Sequence, residues 1–128
     1  MYSELVTYRP IGLVENDFDQ PGHGTEMRES VSRIVLDLEL VDGLVGLEAG
    51  QQLLILFHFH LSQGFDLLQH PHGDQMRPLR GVFSLRSPRR PNPIGATNVE
   101  LVELRGNVLF VKGLDAINGT PVLDIKPA

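Results

Sequence analysis

"TNVELVELRGNVLFVKG" occupies residues 97–113 and predicts a β-hairpin. Its two halves, 97–104 and 108–113, have the side-chain pattern of strands, and the "RGN" between them contains the glycine that a short hairpin loop favours. Leu101 and Val102 are adjacent apolar residues that interrupt the alternation. We therefore expect a β-bulge at that point of the first strand.

Further strand-like stretches flank the hairpin on both sides. The stretch 33–40 alternates apolar and polar side chains as a half-buried strand does, and 53–60 is apolar on both faces as a buried strand is. The other three predicted strands are 8–14, 81–85 and the stretch that follows the Asn-Gly turn within 117–125. Long polar connections fill 15–30 and 61–79, and 42–52 could hold a short helical turn. Seven short strands with little helical periodicity predict an all-β fold, either an antiparallel barrel or a sandwich.

The composition narrows the class of protein. A chain of 128 residues is the size of one domain, and the lack of cysteine excludes disulfides and thiolate metal sites. The N-terminus lacks the basic and apolar regions of a signal peptide, and the longest apolar run, 53–57, is too short to span a membrane. We expect a cytoplasmic protein that makes no membrane contact. The net charge of −5 argues against a general nucleic-acid binder.

Positive charge is nevertheless concentrated in one segment. Five of the 11 basic residues lie between positions 77 and 90: Arg77, Arg80, Arg86, Arg89 and Arg90. Within "RSPRRPNPIG" (86–95), three prolines stiffen the chain, so that its arginines have little conformational freedom to lose on binding. The segment predicts a site for a carboxylate or a phosphate. The alternative is a solvated loop whose arginines pair with nearby Asp and Glu.

Histidine and aspartate offer weaker signals. His58 and His60 are two apart on a predicted strand and form half of a possible metal site, although hydrogen-bonded histidines are the commoner outcome. The sequence fixes no third ligand, so we expect no metal. Asp115 and Asp124 flank the Asn-Gly turn, where short acidic side chains cap backbone groups more often than they catalyse.

Three segments together resemble the TsaA-like, or TrmO, family of tRNA methyltransferases. They are "GVFSLRSPRRPNPIGATNVEL" (81–101), "GLDAINGTPVLDIKP" (113–127) and "GLVGLEAGQQLLILFHFH" (43–60). The family pattern runs approximately G-V-F-A-T-R-S-P-x-R-P-N-P-I-G and then L-D-x-x-D-G-T-P-V-L-D-I-K-P. The resemblance covers about 43–127, and the two signature blocks at a fixed distance make chance agreement negligible.

The resemblance implies a fold and an activity. The fold would be a small antiparallel β-barrel that forms a homodimer, with 1–128 as a single domain and without the C-terminal extension of the bacterial type. The cofactor would be S-adenosylmethionine. The reaction would be N6-methylation of threonylcarbamoyladenosine next to the anticodon of tRNA. A Rossmann-type methyltransferase is excluded separately, because the chain has no G-x-G-x-x-G and no βαβ alternation.

Motif matching also implies functional positions. The cofactor positions are His60, Leu61, Arg86, Ala96, Leu114, Asp115, Ala116 and Ile117. His60 and Asp115 are the two candidates for a general base, and the sequence does not decide between them. The expected substrate positions are Arg90, Asn92 and Lys126 from the motifs, together with Arg77 and Arg80 as phosphate contacts.

The chain departs from the family pattern at several points. Asn118 stands where the family has the aspartate of D-G-T-P, and the N-terminal P-R-Q of the family is missing, with Arg28 as the one residue that could replace its arginine. Two other functions therefore stay open. One is an S-adenosylmethionine-binding module or small-molecule methyltransferase without tRNA activity, and the other is a metal-dependent barrel enzyme that uses His58 and His60.

Overall fold

The computed structural model describes residues 3–128, and strands account for most of its regular structure. Eight strands follow one another along the chain: β1 (Gly12–Glu15), β2 (Val31–Leu36), β3 (Gln52–His58), β4 (Leu68–Gln69), β5 (Arg80–Gly81), β6 (Ile94–Arg105), β7 (Val108–Lys112) and β8 (Pro121–Pro127). Six of them close into an antiparallel barrel in the order β1-β2-β7-β6-β3-β8, while β4 and β5 pair separately. The predicted all-β barrel is confirmed, and the expected count of about seven strands is close.

The predicted hairpin is the β6–β7 pair, and it contains the expected bulge. Leu101 pairs with Val111 and Glu103 pairs with Phe110, so that Val102 is the extra residue on β6. The first half of β6 pairs with β3 and its second half pairs with β7. The bulge therefore lies where this long strand passes from one neighbour to the other, and bulges bend strands in this way.

Alternating side chains of the barrel strands form the core. The largest fully buried side chains on the strands are Val14, Ile34, Leu53, Ile55, Val99, Leu101, Leu109, Val111 and Val122. Burying one such side chain contributes about 1.5–3 kcal/mol, so this set supplies the main stabilisation of the barrel. Leu54 and Leu56, on the other face of β3, are only half-buried.

In two of the predicted strands, part of the stretch forms a 3₁₀ turn instead. The stretch 33–40 stops being a strand at Leu36, and a 3₁₀ turn, Leu38–Leu44, follows it, with Leu38 72% and Leu40 42% exposed. The stretch 81–85 is mostly a 3₁₀ turn, Val82–Ser84, in which the Ser84 hydroxyl donates to the Gly81 carbonyl at 2.7 Å. The predicted loop 15–30 also contains a short helix, α1 (Gly24–Glu29). Among residues 3–128, no helix has the length and apolar character needed to cross a membrane.

The antiparallel order gives the barrel two distinct ends. β1, β3 and β7 run in one direction, and β2, β6 and β8 run in the other. The connections 16–30, 59–93 and 113–120 therefore all lie at one end, which we call the upper end. The connections 37–51 and 106–107 lie at the lower end. Two of the three upper connections contain the segments that carry the family signature.

Gly95 shows how closely the chain is packed where the signature enters β6. A Cβ atom at this position would overlap the Phe57 ring and lie 2.8 Å from Cζ of Phe59. We predict that Gly95→Ala lowers the free energy of unfolding by about 1–3 kcal/mol, because an extra carbon in a packed core displaces its neighbours. Gly43→Ala is the matched control, since a Cβ there meets nothing within 4 Å. Urea denaturation of both variants measures the difference, and equal stabilities would contradict this packing.

Candidate functional site

The upper end of the barrel brings together most of the positions that the motifs predict. His60 and Leu61 follow the end of β3, Arg86 and Asn92 precede β6, and Ala96 lies near the start of β6. The stretch Leu114 to Ile117 follows β7 at the same end. His60, Leu61, Arg86 and Asp115 are exposed. The site is therefore an open surface to which the connections 59–93 and 113–120 and the start of β6 contribute.

The signature loop, which we define as residues 86–93, is held in place by side chains from the preceding part of the same connection. The Ser62 hydroxyl donates to the Pro88 carbonyl at 2.9 Å. The Gln69 amide donates to the Arg89 carbonyl at 2.6 Å and accepts from the Ser87 hydroxyl at 2.5 Å. These bonds, added to three prolines, leave the loop little freedom.

The three arginines of the signature loop have different surroundings. Arg86 is exposed, and its Nη1 donates to the Ala96 carbonyl at 3.1 Å, which leaves the other N–H groups of the guanidinium toward solvent. Arg90 is half-buried, and its Nη1 donates to the Leu85 and Ser87 carbonyls at 3.0 and 3.1 Å. Arg89 pairs with Asp66 at 2.9 Å. Arg86 is therefore the arginine of this loop that is best placed to hold an anion, while Arg90 also stabilises the loop.

The two arginines before the signature also differ. Arg77 lies 3.7 Å from a carboxylate oxygen of Asp74, and both side chains are about half exposed. This pair and the pair of Arg89 with Asp66 are of the kind that the solvated-loop alternative expects. Arg80 begins β5 opposite Gln69, and it has no ion pair within residues 3–128. Of the two, Arg80 is thus the more available for a phosphate.

The loop 113–120 is anchored by alternate side chains. Leu114 and Ala116 are 0% and 5% exposed, whereas Asp115 between them is exposed to solvent. The Thr120 hydroxyl donates to the Ile117 carbonyl at 2.7 Å, and Gly119 has a φ of 84°, which suits glycine in the predicted Asn-Gly turn. The anchoring presents the Asp115 carboxylate at the upper end.

Asn118 makes a hydrogen bond that an aspartate at this position could also make. Its Oδ1 accepts a hydrogen bond from the backbone N–H of Asn16 at 3.1 Å. An aspartate could accept the same bond, because only an acceptor oxygen is required. The departure from D-G-T-P therefore preserves this contact.

Asn16 is the residue at this end that motif reasoning missed. Its Nδ2 donates to the Ala116 carbonyl at 2.8 Å and to the Ser32 hydroxyl at 3.0 Å. The partners are 100 and 16 residues away in the chain, so no local pattern could have identified them.

The histidines do not assemble a metal site in the part of the chain that the structure describes. β3 ends at His58, and His60 lies in the turn beyond it, so the pair does not share one strand as the sequence suggested. His70 Nδ1 lies 2.7 Å from the Arg77 carbonyl oxygen. Residues 3–128 contain no group of three or more His, Cys, Asp or Glu side chains that could hold a metal ion.

Lys126 lies away from the other predicted positions. It pairs with Asp124 at 3.1 Å and lines a groove of about 480 Å³ at the lower end, whose floor is apolar and includes Leu36, Leu44 and Ile125. The structure therefore does not bring Lys126 to the upper end. Arg28, at the end of α1, does lie at the upper end, since the Arg28 carbonyl oxygen would be 3.8 Å from a Cβ at Gly113.

The connection that contains the signature loop exposes many apolar side chains. We call them together the apolar arm surface: seven large side chains of the connection 59–93 that are at least half exposed, namely Leu61, Phe65, Leu67, Leu68, Met76, Leu79 and Phe83. Phe83 is 79% and Met76 92% exposed. So many exposed apolar side chains within one short segment are typical of a surface that binds another molecule.

Comparison with known proteins agrees with the motifs. The model of the family described as the tRNA-methyltransferase O N-terminal domain matches residues 13–128. A probable S-adenosyl-L-methionine-binding protein of Methanothermobacter thermautotrophicus is 41% identical over 95% of this chain and 89% of its own length. A human tRNA (adenine(37)-N6)-methyltransferase is 36% identical over 92% of this chain, which spans 29% of the human protein.

A solved structure has the same fold. The crystal structure of TrmO from Pseudomonas aeruginosa superposes with a TM-score of 0.72 at 30% identity and covers 98% of this chain, which spans 56% of the solved chain. The resemblance predicted from the signature blocks is confirmed: the chain belongs to the family of the tRNA-methyltransferase O N-terminal domain.

Proposed function

We propose that this protein is an S-adenosylmethionine-dependent methyltransferase that modifies tRNA, with the upper end of the barrel as its site. The observation that supports the proposal is that the connections 59–93 and 113–120 meet at that end, which gives Arg86, His60 and Asp115 one end of the barrel in common. The names of the human and archaeal relatives support the cofactor and the class of substrate.

The residues at the upper end suit the cofactor chemically. S-adenosylmethionine has a carboxylate and an ammonium on its methionyl part, hydroxyls on its ribose and an apolar face on its adenine. Arg86 would hold the carboxylate, because its guanidinium has N–H groups beyond the one that binds Ala96. Asp115 offers a carboxylate for the ammonium or the hydroxyls, and Leu61, 54% exposed, offers apolar contact.

The reaction needs little beyond alignment and proton removal. When bound, S-adenosylmethionine would supply a methyl group on a positively charged sulfur; the S–CH₃ bond would break with its electron pair going to sulfur as the new N–CH₃ bond formed. The loops at the upper end would hold the acceptor nitrogen in line with that bond, and such positioning can contribute about 7–11 kcal/mol. His60 or Asp115 would accept the proton that the acceptor nitrogen loses.

The proposed acceptor is N6 of threonylcarbamoyladenosine beside the anticodon. This nucleoside carries a threonyl carboxylate next to its phosphate, so it presents two anions to the enzyme. The guanidinium of Arg80 and the outward polar side chain of Asn92 are the groups we assign to it. A base in an anticodon loop is already accessible, so recognition needs no opening of a duplex. A tRNA substrate would also place the protein in the cytoplasm.

We further propose that the protein acts as a homodimer joined through the apolar arm surface. Sites for small molecules commonly enclose most of the ligand, whereas His60, Leu61, Arg86 and Asp115 lie on an open surface. A second copy seated on the apolar arm surface would supply the missing wall.

The dimer can be tested by replacing one apolar side chain with a charge. We predict that Phe83→Asp changes the mass from that of a dimer to that of a monomer in light scattering at micromolar concentration, because an unpaired charge would have to be buried at the interface. Val45→Asp is the control, since Val45 is 87% exposed and lies in the lower connection. A wild-type monomer, or a Phe83→Asp dimer, would contradict this interface.

The contribution of Arg80 to tRNA binding can be measured from the salt dependence of the affinity. Each phosphate contact that is lost should lower the slope of log affinity against log salt by about one unit. We predict this for Arg80→Ala, with unchanged affinity for S-adenosylmethionine. Arg105→Ala is the control, because Arg105 lies at the lower end and pairs there with Glu103 at 2.7 Å. An unchanged slope for Arg80→Ala would remove Arg80 from the tRNA surface.

Methyl transfer itself tests the proposed function. The protein is incubated with methyl-labelled S-adenosylmethionine and tRNA from a strain that lacks its own enzyme, and the digested nucleosides are separated. We expect label in the N6-methyl derivative of threonylcarbamoyladenosine. Cofactor binding without label in tRNA would instead favour a binding module or a small-molecule methyltransferase, a reading that the net charge of −5 also suits.

A further inference from the structure

We propose that Asn16 is a positioning residue that holds the cofactor loop, which we define as Leu114 to Ile117, in the shape that binds the cofactor. The inference depends on the proposed function, because the loop is assigned to the cofactor there. Asn16 directly follows β1, and its side chain reaches across the upper end to the segment between β7 and β8.

The Asn16 side chain uses all of its hydrogen-bonding groups. Nδ2 donates one N–H to the Ala116 carbonyl at 2.8 Å and the other to the Ser32 hydroxyl at 3.0 Å. Oδ1 accepts from the Phe18 backbone N–H at 3.0 Å. A primary amide offers two donors and one acceptor oxygen, and here each has a partner.

The backbone of the same two segments is joined as well. The Asn16 N–H donates to Asn118 Oδ1 at 3.1 Å, and the Asn118 N–H donates to the Phe18 carbonyl at 2.7 Å. Together with the Nδ2 bond to Ala116, three hydrogen bonds connect residues 16–18 to residues 116–118. The Ala116 carbonyl belongs to the residue that follows Asp115, so these bonds also fix the backbone next to Asp115.

The bond to Ser32 explains why the side chain cannot easily move. Ser32 is 0% exposed and lies on β2 inside the barrel. A buried hydroxyl without a hydrogen-bond partner costs about 1–3 kcal/mol, so a movement of the Asn16 amide away from Ser32 would be unfavourable. Asn16 thereby joins β1, β2 and the cofactor loop.

The pattern of partners is specific for asparagine. Aspartate has the same shape and could still accept from Phe18, but it would face the Ala116 carbonyl with a negative oxygen in place of an N–H. Alanine removes both donors. In either variant the cofactor loop gains conformations that must be lost again when the cofactor binds, and this loss weakens binding.

The test compares Asn16→Ala with Asn107→Ala. Asn107 is a close match, because its Nδ2 donates to the distant Leu36 carbonyl at 2.7 Å, but at the lower end. We expect both variants to lower the melting temperature, and only Asn16→Ala to weaken S-adenosylmethionine binding in calorimetry, by about three- to tenfold, the equivalent of one lost hydrogen bond. The rate of methyl transfer at saturating cofactor should change far less than KM for the cofactor.

Two further variants test whether Asn16 acts through its bond to the cofactor loop. Ser32→Ala removes the bond that holds the Asn16 amide against β2 but leaves the bond to Ala116, so it should weaken cofactor binding less than Asn16→Ala does. Asn16→Asp has the wild-type shape and replaces Asn16→Ala if the latter does not fold. Equal cofactor affinities for the Asn16 and Asn107 variants would overturn the positioning role. No binding by the wild-type protein would instead overturn the proposed function.

Discussion

Replacing the general base is expected to slow methyl transfer by about 10²- to 10⁴-fold, the usual contribution of a positioned base. His60 and Asp115 are the two candidates, and both are exposed at the upper end of the barrel. The acceptor nitrogen is attached to a carbamoyl group and is a weak nucleophile until its proton leaves. We predict that one of His60→Ala and Asp115→Asn shows this loss in kcat with saturating cofactor.

The control variants make the same two substitutions, His to Ala and Asp to Asn, at positions outside the proposed site. His72→Ala changes an exposed histidine in the 3₁₀ turn Pro71–Gly73, and Asp42→Asn changes an exposed carboxylate in the lower connection. Both should keep kcat within a few-fold of the wild type. If both His60→Ala and Asp115→Asn also stay within tenfold, neither residue is the general base.

Arg86→Ala is expected to weaken S-adenosylmethionine binding by about ten- to a hundredfold. A hydrogen bond to a charged group contributes about 1.5–3 kcal/mol, and Arg86 is the arginine of the signature loop whose guanidinium is exposed and bound only through Nη1. Arg86→Lys should recover part of the affinity, because it keeps the charge but loses the planar set of donors. Calorimetry measures both.

Arg105→Ala provides the comparison for Arg86. It removes the same charge from an exposed arginine at the lower end, whose partner is Glu103. Cofactor affinity should be unchanged there. If Arg86→Ala binds the cofactor as tightly as Arg105→Ala does, the carboxylate is held elsewhere and the assignment of Arg86 is wrong.

The sequence predicted best those parts of the barrel that local signals define. The β6–β7 hairpin and its bulge at Val102 follow from alternation and a glycine loop, which are local signals. The prediction failed at Leu38 and Leu40, whose spacing continues the alternation of β2. β2 ends at Leu36 because its partner β1 begins at Gly12, which pairs with Leu36, and sequence alternation does not contain that limit.

The stretch 81–85 failed for a different reason. Val82 is 1% exposed, whereas Phe83 and Ser84 are both exposed, so the burial does not alternate as it would in a strand. The Ser84 hydroxyl and the Leu85 N–H both bond to backbone carbonyls three residues earlier, which closes the segment into a turn. Serine side chains compete with strand pairing in this way, and alternation of apolar residues does not reveal it.

In the candidate site, too, local sequence signals predicted some features and missed others. The stiff arginine-rich loop could be predicted because proline and arginine act locally, and its prolines and charges are visible in the sequence. Asn16 could not be predicted, because its importance comes from a partner 100 residues away. Lys126 lies in a signature block but at the lower end, since β8 carries the chain from one end of the barrel to the other.

Backbone amide hydrogen exchange with and without S-adenosylmethionine tests most directly the claim that the upper end binds the cofactor. We predict slower exchange on binding in three separate stretches, 60–61, 86–96 and 114–117, and unchanged exchange around the lower groove formed by Leu44, Leu47 and Ile125. Slower exchange that is concentrated at the lower groove, with the three upper stretches unchanged, would contradict the account.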